Sequence, residues 1–326
     1  MTAATPQDSP LIWKTPHGRI TLVPTRGRVL QIEAGGHAFL WNPPSVTAPW
    51  NLGGERLWLG PESDWFWKKT DRVDFSHYQV PPGLDPDSWQ ITSSSATAAE
   101  VELRLELRCP HADRHLRLLV RRRFELLDKE SLAARPGAVG LAITTTLTIK
   151  DGTLGQPVDL WAVIQVPVGG TMVVPTLVQA VARDYFDPCP AGEMQISPRC
   201  FQLRIGGATM FKLGVSPVAT AGRIAYLRPA RQGTLVLERF FPVLPALAYA
   251  DTPLQALGSL GDAAQFFNDG GKFGIFGEME HRSPALHCGR GPQTYTETTI
   301  TTAACLDDGA LATWRETFGA GPANFS

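Results

Sequence analysis

Hydrophobic and polar residues alternate along much of this 326-residue chain, in short runs separated by glycine and proline. The clearest runs are residues 100–108 (EVELRLELR) and 116–126 (LRLLVRRRFEL). Strict alternation over this length predicts two antiparallel strands, each with one buried face. Arg122 interrupts the apolar face of the second run. Two interpretations of Arg122 remain open: it lies at a strand end or bulge, or it points inward into a polar cavity.

Further runs of apolar and β-branched residues predict the remaining strands. They lie at residues 11–14, 19–23, 28–33, 37–41, 141–150, 158–166, 172–174, 201–205, 209–213, 223–227, 234–240, 274–280 and 294–303. Residues 309–318 predict the one convincing helix, with Leu311, Trp314 and Phe318 at helical spacing. Because composition does not change along the chain, we predict an all-β protein, one large antiparallel β-sandwich with little helix, in a single domain over residues 1–326.

Charge and composition narrow the classes of function. The formal net charge is −1, which gives no field to attract nucleic acid or an anionic membrane. No window approaches about 18 apolar residues, and residues 1–20 lack the pattern of a signal peptide. The five cysteines are odd in number and widely spaced, which is typical of reduced thiols. We therefore expect a cytoplasmic protein without a nucleic-acid or membrane partner; the sequence predicts no oligomeric state.

Residues 50–68 (WNLGGERLWLGPESDWFWK) form the most unusual stretch, named here the tryptophan-rich segment. It contains the four tryptophans Trp50, Trp58, Trp65 and Trp67, together with Arg56 and Glu62. Indole rings form flat apolar platforms on which the C–H faces of sugars stack, while charged groups bind the hydroxyls. The segment therefore predicts a carbohydrate site. For single residues an alternative stays open: Trp58 is a core residue of a strand, and Arg56 and Glu62 form a structural ion pair.

A second group of charged residues follows late in the chain, at residues 273–287 (FGIFGEMEHRSPALH). Glu278 and Glu280 share one face if this segment is a strand, and His281 lies on the other. Two carboxylates on one face require a cation, a metal ion or ligand hydroxyls, and their proximity raises one pKa, as general acid–base chemistry requires. The alternative is that both face solvent. Arg282 adjoins them, and Asp269 in the turn NDGG is expected at the rim of the same site.

Three sequence motifs carry a resemblance to a known family. They are GGERLWLGPE at residues 53–62, DLWAVIQVPVGGTMVVP at residues 159–175 and FGEMEHRSPAL at residues 276–286. Together they resemble the galactose mutarotase-like superfamily, and within it the uncharacterised branches related to aldose epimerases. The resemblance spans most of the chain and implies a large antiparallel β-supersandwich with a sugar site in a concave face.

The resemblance also implies roles for single residues. Mutarotases of this superfamily open the sugar ring with a glutamate base on the anomeric hydroxyl and a histidine acid near the ring oxygen. Glu280 matches the base by position, and Glu278 is the reserve candidate. Arg56 resembles the arginine that contacts the substrate. Trp161 stands roughly where the family has its histidine, so His281 becomes a candidate acid.

Three hypotheses follow for the function. The first is a mutarotase- or epimerase-like enzyme acting on a sugar or sugar derivative, with Glu280, Glu278 and His281 as catalytic residues. Its substrate-binding residues are Arg56, Trp58, Glu62, Trp65, Trp161, Asp269 and Arg282. The second is a carbohydrate-binding or sensing protein without catalysis. The third is a glycoside lyase or hydrolase that uses the opposed carboxylates Glu62 and Glu280. The expected ligand is a small-molecule or oligomeric carbohydrate, and we expect no cofactor and no metal ion.

Overall fold

The computed structural model of the protein describes residues 9–43, 45, 48, 50–85 and 89–318. Residues 1–8, on which part of the prediction that a signal peptide is absent rests, lie outside this range. The first strands in chain order are β1 (Leu11–Thr15), β2 (Gly18–Val23), β3 (Arg28–Ala34), β4 (His37–Ala38), β5 (Glu55–Gly60), β6 (Gln90–Ser94), β7 (Ala98–Arg108), β8 (His115–Leu126), β9 (Val139–Gly152) and β10 (Pro157–Pro167).

The second half of the described chain continues with strands, which a helix follows. The strands are β11 (Gly170–Pro175), β12 (Ala182–Asp184), β13 (Met194–Ser197), β14 (Cys200–Ile205), β15 (Phe211–Val215), β16 (Arg223–Pro229), β17 (Thr234–Phe240), β18 (Ala264–Asn268), β19 (Phe276–Arg282), β20 (Leu286–His287) and β21 (Thr294–Leu306). The α-helices of the described residues are the single turn α1 (Glu62–Trp65) and α2 (Asp308–Phe318), and short 3₁₀ helices lie at Pro24–Arg26, Phe75–His77 and Leu254–Ala256.

Two large antiparallel sheets account for all these strands of the described chain. In the first sheet the order is β1-β2-β3-β5-β10-β19-β18-β15-β12, with β4 added to β3 and β20 added to β10. In the second the order is β13-β14-β11-β16-β17-β21-β9-β8-β7-β6. Apolar side chains from both sheets form a common buried core. The predicted all-β sandwich is confirmed; the extent of the single domain stays a prediction.

Most predicted strands agree with the observed ones within a few residues, because alternating apolar positions face the common core. The prediction missed β18 and several short edge strands. In β18 all five residues (AQFFN) are buried, so the alternation of apolar and polar positions that marks a half-buried strand is absent. No helix of the described residues is both long and apolar enough to cross a bilayer.

Arg122 takes the second of its two interpretations. Its side chain is 1% exposed and lies between the sheets, where Nη2 donates to Glu55 Oε1 at 2.7 Å. Nη1 donates to the carbonyl of Gly27. The irregularity of β8 falls between Arg117 and Leu118, away from Arg122.

Candidate functional site

A cavity of about 420 Å³ opens on the outer face of the first sheet, over the central strands β5, β10 and β19. The register places Val163 of β10 between Arg56 of β5 and Glu280 of β19. Residues directly opposite each other in a sheet project from the same face, so both charged side chains point into this cavity. Its volume lies within the range of small-ligand pockets, roughly 300–1,000 Å³.

Six of the predicted site residues line the cavity: Arg56, Trp58, Glu62, Trp161, Glu278 and Glu280. Further lining residues that the sequence did not single out are Phe75, Tyr78, Gln79, Val80, Asp85, Phe186, Lys212, Phe267, Phe273 and Phe276. Trp50 of the tryptophan-rich segment also lines it. Charged groups and aromatic rings therefore dominate the walls.

Glu280 lies at the buried floor of the cavity and is 1% exposed. Its Oε2 accepts a hydrogen bond from Trp161 Nε1 at 2.6 Å and lies 3.1 Å from Lys212 Nζ. Its Oε1 has no hydrogen-bond partner among the residues that the structure describes. Burial raises the pKa of the Glu280 carboxyl, and Glu278 adds to the rise, although Lys212 opposes it.

Lys212 joins Glu280 to a second carboxylate. Its Nζ lies 2.8 Å from Oε2 of Glu62, while the Tyr78 hydroxyl donates to Oε1 of Glu62 at 3.0 Å. Burial raises the pKa of Glu62. Burial alone would lower the pKa of Lys212, but Glu280 and Glu62 outweigh it and the pKa is raised. Burial and Glu62 raise the pKa of Tyr78 well above its usual value, so the phenol stays protonated.

The Arg56 and Glu278 side chains form the second charged pair of the floor. Arg56 Nη2 donates to Glu278 Oε1 at 2.9 Å, and Gln165 Nε2 donates to the same oxygen at 2.9 Å. The guanidinium lies 4.0 Å from the ring centroid of Trp58, a cation–π contact. Its Nε and Nη1 have no hydrogen-bond partner in the described part of the chain. Arg56 therefore pairs with Glu278, and the suggested ion pair with Glu62 is replaced by the pair of Glu62 with Lys212.

Trp161 donates a hydrogen bond to Glu280, and two positively charged side chains lie against its indole ring. The guanidinium of Arg282 lies 4.1 Å from the ring centroid, and Lys212 Nζ lies 4.5 Å from it. Trp58 contacts the ring edge to face at 5.2 Å. Because these side chains cover the Trp161 ring, a sugar would stack more easily on the less enclosed aromatic rings of the cavity.

Four predicted site residues do not line the cavity. Trp65 is buried beneath it and donates from Nε1 to the carbonyl of Gly60 at 3.0 Å. Arg282 lies behind Trp161, paired with Asp159 at 3.2 Å and with Asp251 at 2.9 Å. The other two are Asp269 and His281.

Asp269 organises the loop between β18 and β19. Its Oδ1 accepts from the backbone N–H of Phe273 at 2.8 Å, and its Oδ2 accepts from those of Gly274 and Ile275 at 3.0 Å. Asp269 is fully buried, so it fixes the loop that carries Phe273 and does not itself line the cavity.

His281 lies on the opposite face of β19 and points between the two sheets. Its Nε2 lies 2.9 Å from Oε1 of Glu297 on β21, and its ring stacks on Phe241 at 4.8 Å. Side chains of adjacent strand residues point to opposite faces, so His281 cannot reach a ligand bound next to Glu280. His281 therefore packs between the two sheets and does not line the cavity.

Lys212 is the most important residue that the sequence did not indicate. Within the predicted strand at residues 209–213 it alternates with Phe211 and Leu213, the usual pattern of a solvated lysine. In the fold, however, loops enclose that face of the sheet and Lys212 is 2% exposed. Tyr78 and Phe186 lie in connecting segments, where the sequence has no periodic pattern that would predict the direction of a side chain.

No arrangement of three or more histidine, cysteine, aspartate or glutamate side chains that could hold a metal ion occurs in the described part of the chain. All five cysteines are free thiols.

Comparison with solved structures decides the fold. A galactose mutarotase-like protein from Lactobacillus casei ATCC 334 is 10% identical, with a TM-score of 0.53 over 90% of this chain and 100% of that one. A candidate aldose 1-epimerase from Escherichia coli K12 is 12% identical, with a TM-score of 0.53 over 91% of this chain and 99% of that one. The fold is galactose mutarotase-like.

Other comparisons agree with the galactose mutarotase-like fold or add little to it. The aldose epimerase homologue from C. elegans is 10% identical, with a TM-score of 0.50 over 92% of this chain and 99% of that one. A family of unknown function, DUF6786, matches residues 46–146, which include the tryptophan-rich segment. No curated protein sequence matches the chain. At these identities the likeness establishes the fold and leaves the activity to be tested.

Proposed function

We propose that the protein binds a carbohydrate in this cavity and interconverts its anomers, as a mutarotase- or epimerase-like enzyme. The observation that carries the proposal is the environment of Glu280. One of its oxygens is held by Trp161 and Lys212, and Oε1 has no partner among the described residues. A buried carboxylate with a raised pKa, at the floor of an aromatic cavity, is suited to act as a general base.

The proposed reaction begins when Glu280 Oε1 accepts the proton of the anomeric hydroxyl. A double bond forms between C1 and the oxygen of the former anomeric hydroxyl, and the bond from C1 to the ring oxygen breaks. The electron pair of the broken bond stays on the ring oxygen, which takes a proton from Lys212. Rotation about the C1–C2 bond exposes the other face of the aldehyde. Reversal of both proton transfers closes the ring as the other anomer, without net gain or loss of protons.

Lys212 suits the acid role for geometric reasons. Its ammonium lies 3.1 Å from Oε2 of Glu280, and both oxygens on C1 of a pyranose lie next to each other, so the base and the acid have to be neighbours. A ring oxygen that has just lost its bond to carbon is much more basic than an amine, so an ammonium whose pKa is raised still donates to it. Lys212 would thereby replace the histidine of the family, and Trp161 would orient Glu280.

Arg56 is proposed to bind substrate hydroxyls. Its Nε and Nη1 are buried donors without a partner among the described residues, and such donors are costly unless a ligand or water pairs with them. Each cation that lines the cavity is already paired with a carboxylate, Arg56 with Glu278 and Lys212 with two glutamates. We therefore expect a neutral sugar to bind better than a uronate or a sugar phosphate.

The glycoside hydrolase or lyase hypothesis receives less support. Glu62 and Glu280 both contact the ammonium of Lys212, at 2.8 and 3.1 Å. Lys212 therefore lies between the two carboxylates, where a glycosidic bond would have to be placed for attack from opposite sides.

The proposal is tested by NMR exchange spectroscopy of the anomers of D-glucose and D-galactose, with and without the protein. We expect the wild type to accelerate exchange and Glu280→Gln to lower kcat by about 10²–10⁴-fold. Glu130→Gln, an exposed glutamate far along the chain from the cavity residues, serves as the matched control. Sugar binding without acceleration of exchange would instead identify a non-catalytic carbohydrate-binding protein.

A further inference from the structure

The cavity is divided into two zones that differ in charge and in exposure. Its floor is charged and buried: Arg56, Glu62, Lys212, Glu278 and Glu280 are each between 1% and 6% exposed. Its mouth is aromatic and half-buried, and is formed by Trp50, Phe75, Tyr78, Phe186 and Phe273, named here the aromatic collar. The charged side chains of the floor can form hydrogen bonds with the hydroxyls of a ligand, whereas the collar offers flat apolar rings.

The collar is assembled from four separate connecting segments whose rings contact one another. Phe75 is its centre: its ring centroid lies 5.2 Å from that of Phe186 and 5.7 Å from that of Phe273, both edge to face. Trp50 lies 5.5 Å from Phe273, also edge to face. In each edge-to-face pair the edge of one ring covers a face of the other, and Lys272 Nζ lies 4.3 Å from the centroid of Phe75, so only the remaining ring faces of the collar are open to a ligand.

Buried hydrogen bonds hold this mouth in shape. Asp269 fixes the backbone of Phe273, as described above, and Asn51 Nδ2 donates to the Phe273 carbonyl at 3.0 Å. Asn51 Oδ1 in turn accepts from Gln165, which also binds Glu278 at the floor. The collar is therefore built on the same framework as the charged floor, and half-exposed aromatic residues held in this way are typical of ligand sites.

The orientation of a substrate follows from the position of the base. Glu280 lies at the floor, so the anomeric carbon has to enter first, and the opposite end of the sugar points toward the mouth. Anomer exchange requires a free anomeric hydroxyl, so any larger substrate has to extend from another position of the ring. Such an extension meets the aromatic collar.

We propose that the aromatic collar is a subsite for a second sugar ring, so that the substrate is the reducing-end unit of a disaccharide or longer oligosaccharide. This inference rests on the proposed function. The reducing unit lies among the charged residues of the floor, and the next unit stacks its C–H face on rings of the collar. The collar residues carry no charge themselves, and the ammonium of Lys272 lies beside two of their rings, those of Phe75 and Phe273.

The experiment compares each disaccharide with the monosaccharide of its own reducing end. Anomer exchange of D-glucose is measured beside that of maltose, cellobiose and lactose, and kcat/KM is compared after correction for spontaneous exchange. We expect at least one disaccharide to exceed D-glucose by about threefold to tenfold, the effect of one favourable ring contact. Phe273→Leu and Phe186→Leu remove a ring at similar volume, and we expect each to reduce this ratio through KM.

Trp314→Leu is the matched control, because Trp314 is a half-buried aromatic residue on α2, which packs against the second sheet. It is expected to preserve the ratio. The inference is overturned if the wild type treats D-glucose and all three disaccharides alike, or if a disaccharide preference survives both collar substitutions; the proposed function would stand in either case. Absence of exchange and of binding with all four sugars would overturn the proposed function, and this inference with it.

Discussion

Glu280 and Lys212 form an ion pair at the floor of the cavity, and their surroundings determine the pH range in which both can act. Burial raises the pKa of Glu280, so it takes up a proton at a higher pH than an ordinary glutamate. For Lys212, burial acts to lower the pKa, but Glu280 and Glu62 outweigh it, so the ammonium persists to a higher pH than usual. The base is thus lost on the acid side and the acid is lost far on the alkaline side.

The first prediction concerns the pH profile of anomer exchange. As pH falls, kcat/KM should decrease with a midpoint above about 4.3, the ordinary pKa of glutamate, because only ionised Glu280 accepts a proton. The profile should show no additional step near pH 6.5, the ordinary pKa of histidine, because no histidine takes part. Exchange is measured by NMR from pH 4 to pH 9, with circular dichroism as the control for folding. A midpoint at or below about pH 4 would contradict the assignment of Glu280.

The second prediction concerns Lys212→Met, which leaves two buried carboxylates without their shared cation. We expect a loss of about 3–5 kcal/mol in the free energy of unfolding at pH 8, the usual cost of breaking a buried ion pair. The loss should be smaller at pH 5. Glu62 and Glu280 then have folded-state pKa values raised further, so the stability they contribute is present at low pH and disappears as pH rises through those values.

Urea denaturation at both pH values measures the effect of Lys212→Met, and Lys69→Met at an exposed position is the control. A loss below about 1 kcal/mol, or a loss that does not change with pH, would show that the two carboxylates do not depend on Lys212.

Single residues of the site were predictable where the local sequence carries a signal. Arg56, Trp58 and Glu62 stand in a dense tryptophan-rich segment, and Glu278 and Glu280 stand two residues apart in one strand, so a shared face followed from strand geometry. The sequence could not pair these residues. Lys212 lies 150 positions from Glu62, and only the order of the strands brings them together.

At the scale of single elements, β19 separates two chemistries by its two faces. Glu278 and Glu280 point to the cavity, while Met279 and His281 point into the sandwich. Strand period therefore explains why His281 could be assigned to the opposite face from the sequence, and why Trp161, on the cavity face of β10, contacts Glu280. The loop before β19 has no periodic pattern of apolar and polar residues, so the sequence could not predict that Asp269 points inward.

The third prediction tests this loop through Asp269→Ala. The substitution leaves three backbone N–H groups of the loop without their acceptor, which should cost about 1–3 kcal/mol of stability. Because the loop carries Phe273, we expect KM for a disaccharide to rise several-fold while kcat changes less. The assay is anomer exchange with maltose, cellobiose and lactose as substrates.

Asp307→Ala is the control for Asp269→Ala, because Asp307 accepts a backbone hydrogen bond from Ala310 at the start of α2, outside the cavity. It should lower stability without changing KM. A fall in kcat at constant KM for Asp269→Ala would show that the loop acts on the chemical step and does not position the aromatic collar.

For the whole molecule, the two sheets are joined by charges as well as by apolar packing. Glu55 at the start of β5 belongs to the first sheet and Arg122 of β8 to the second, and they pair between the sheets at 2.7 Å. Arg239 of β17 lies 3.5 Å from the same carboxylate oxygen. From the sequence, the alternation of β8 predicted the strand but left the direction of Arg122 open, because the partner lies 67 residues away.

The last prediction measures this connection between the sheets with a double-mutant cycle. Arg122→Met leaves Glu55 with the longer contact to Arg239, and we expect it to cost about 3 kcal/mol in the free energy of unfolding. Glu55→Gln removes the charge but keeps an acceptor. The double variant should be more stable than the sum of the two effects implies, by about 1–3 kcal/mol, because the charges whose partners were lost are then both absent.

The exposed pair of Arg117 with Asp151, which also includes a residue of β8, is the control and should show much weaker coupling. Additive effects of Arg122→Met and Glu55→Gln would mean that the pair of Arg122 with Glu55 does not help to hold the two sheets together.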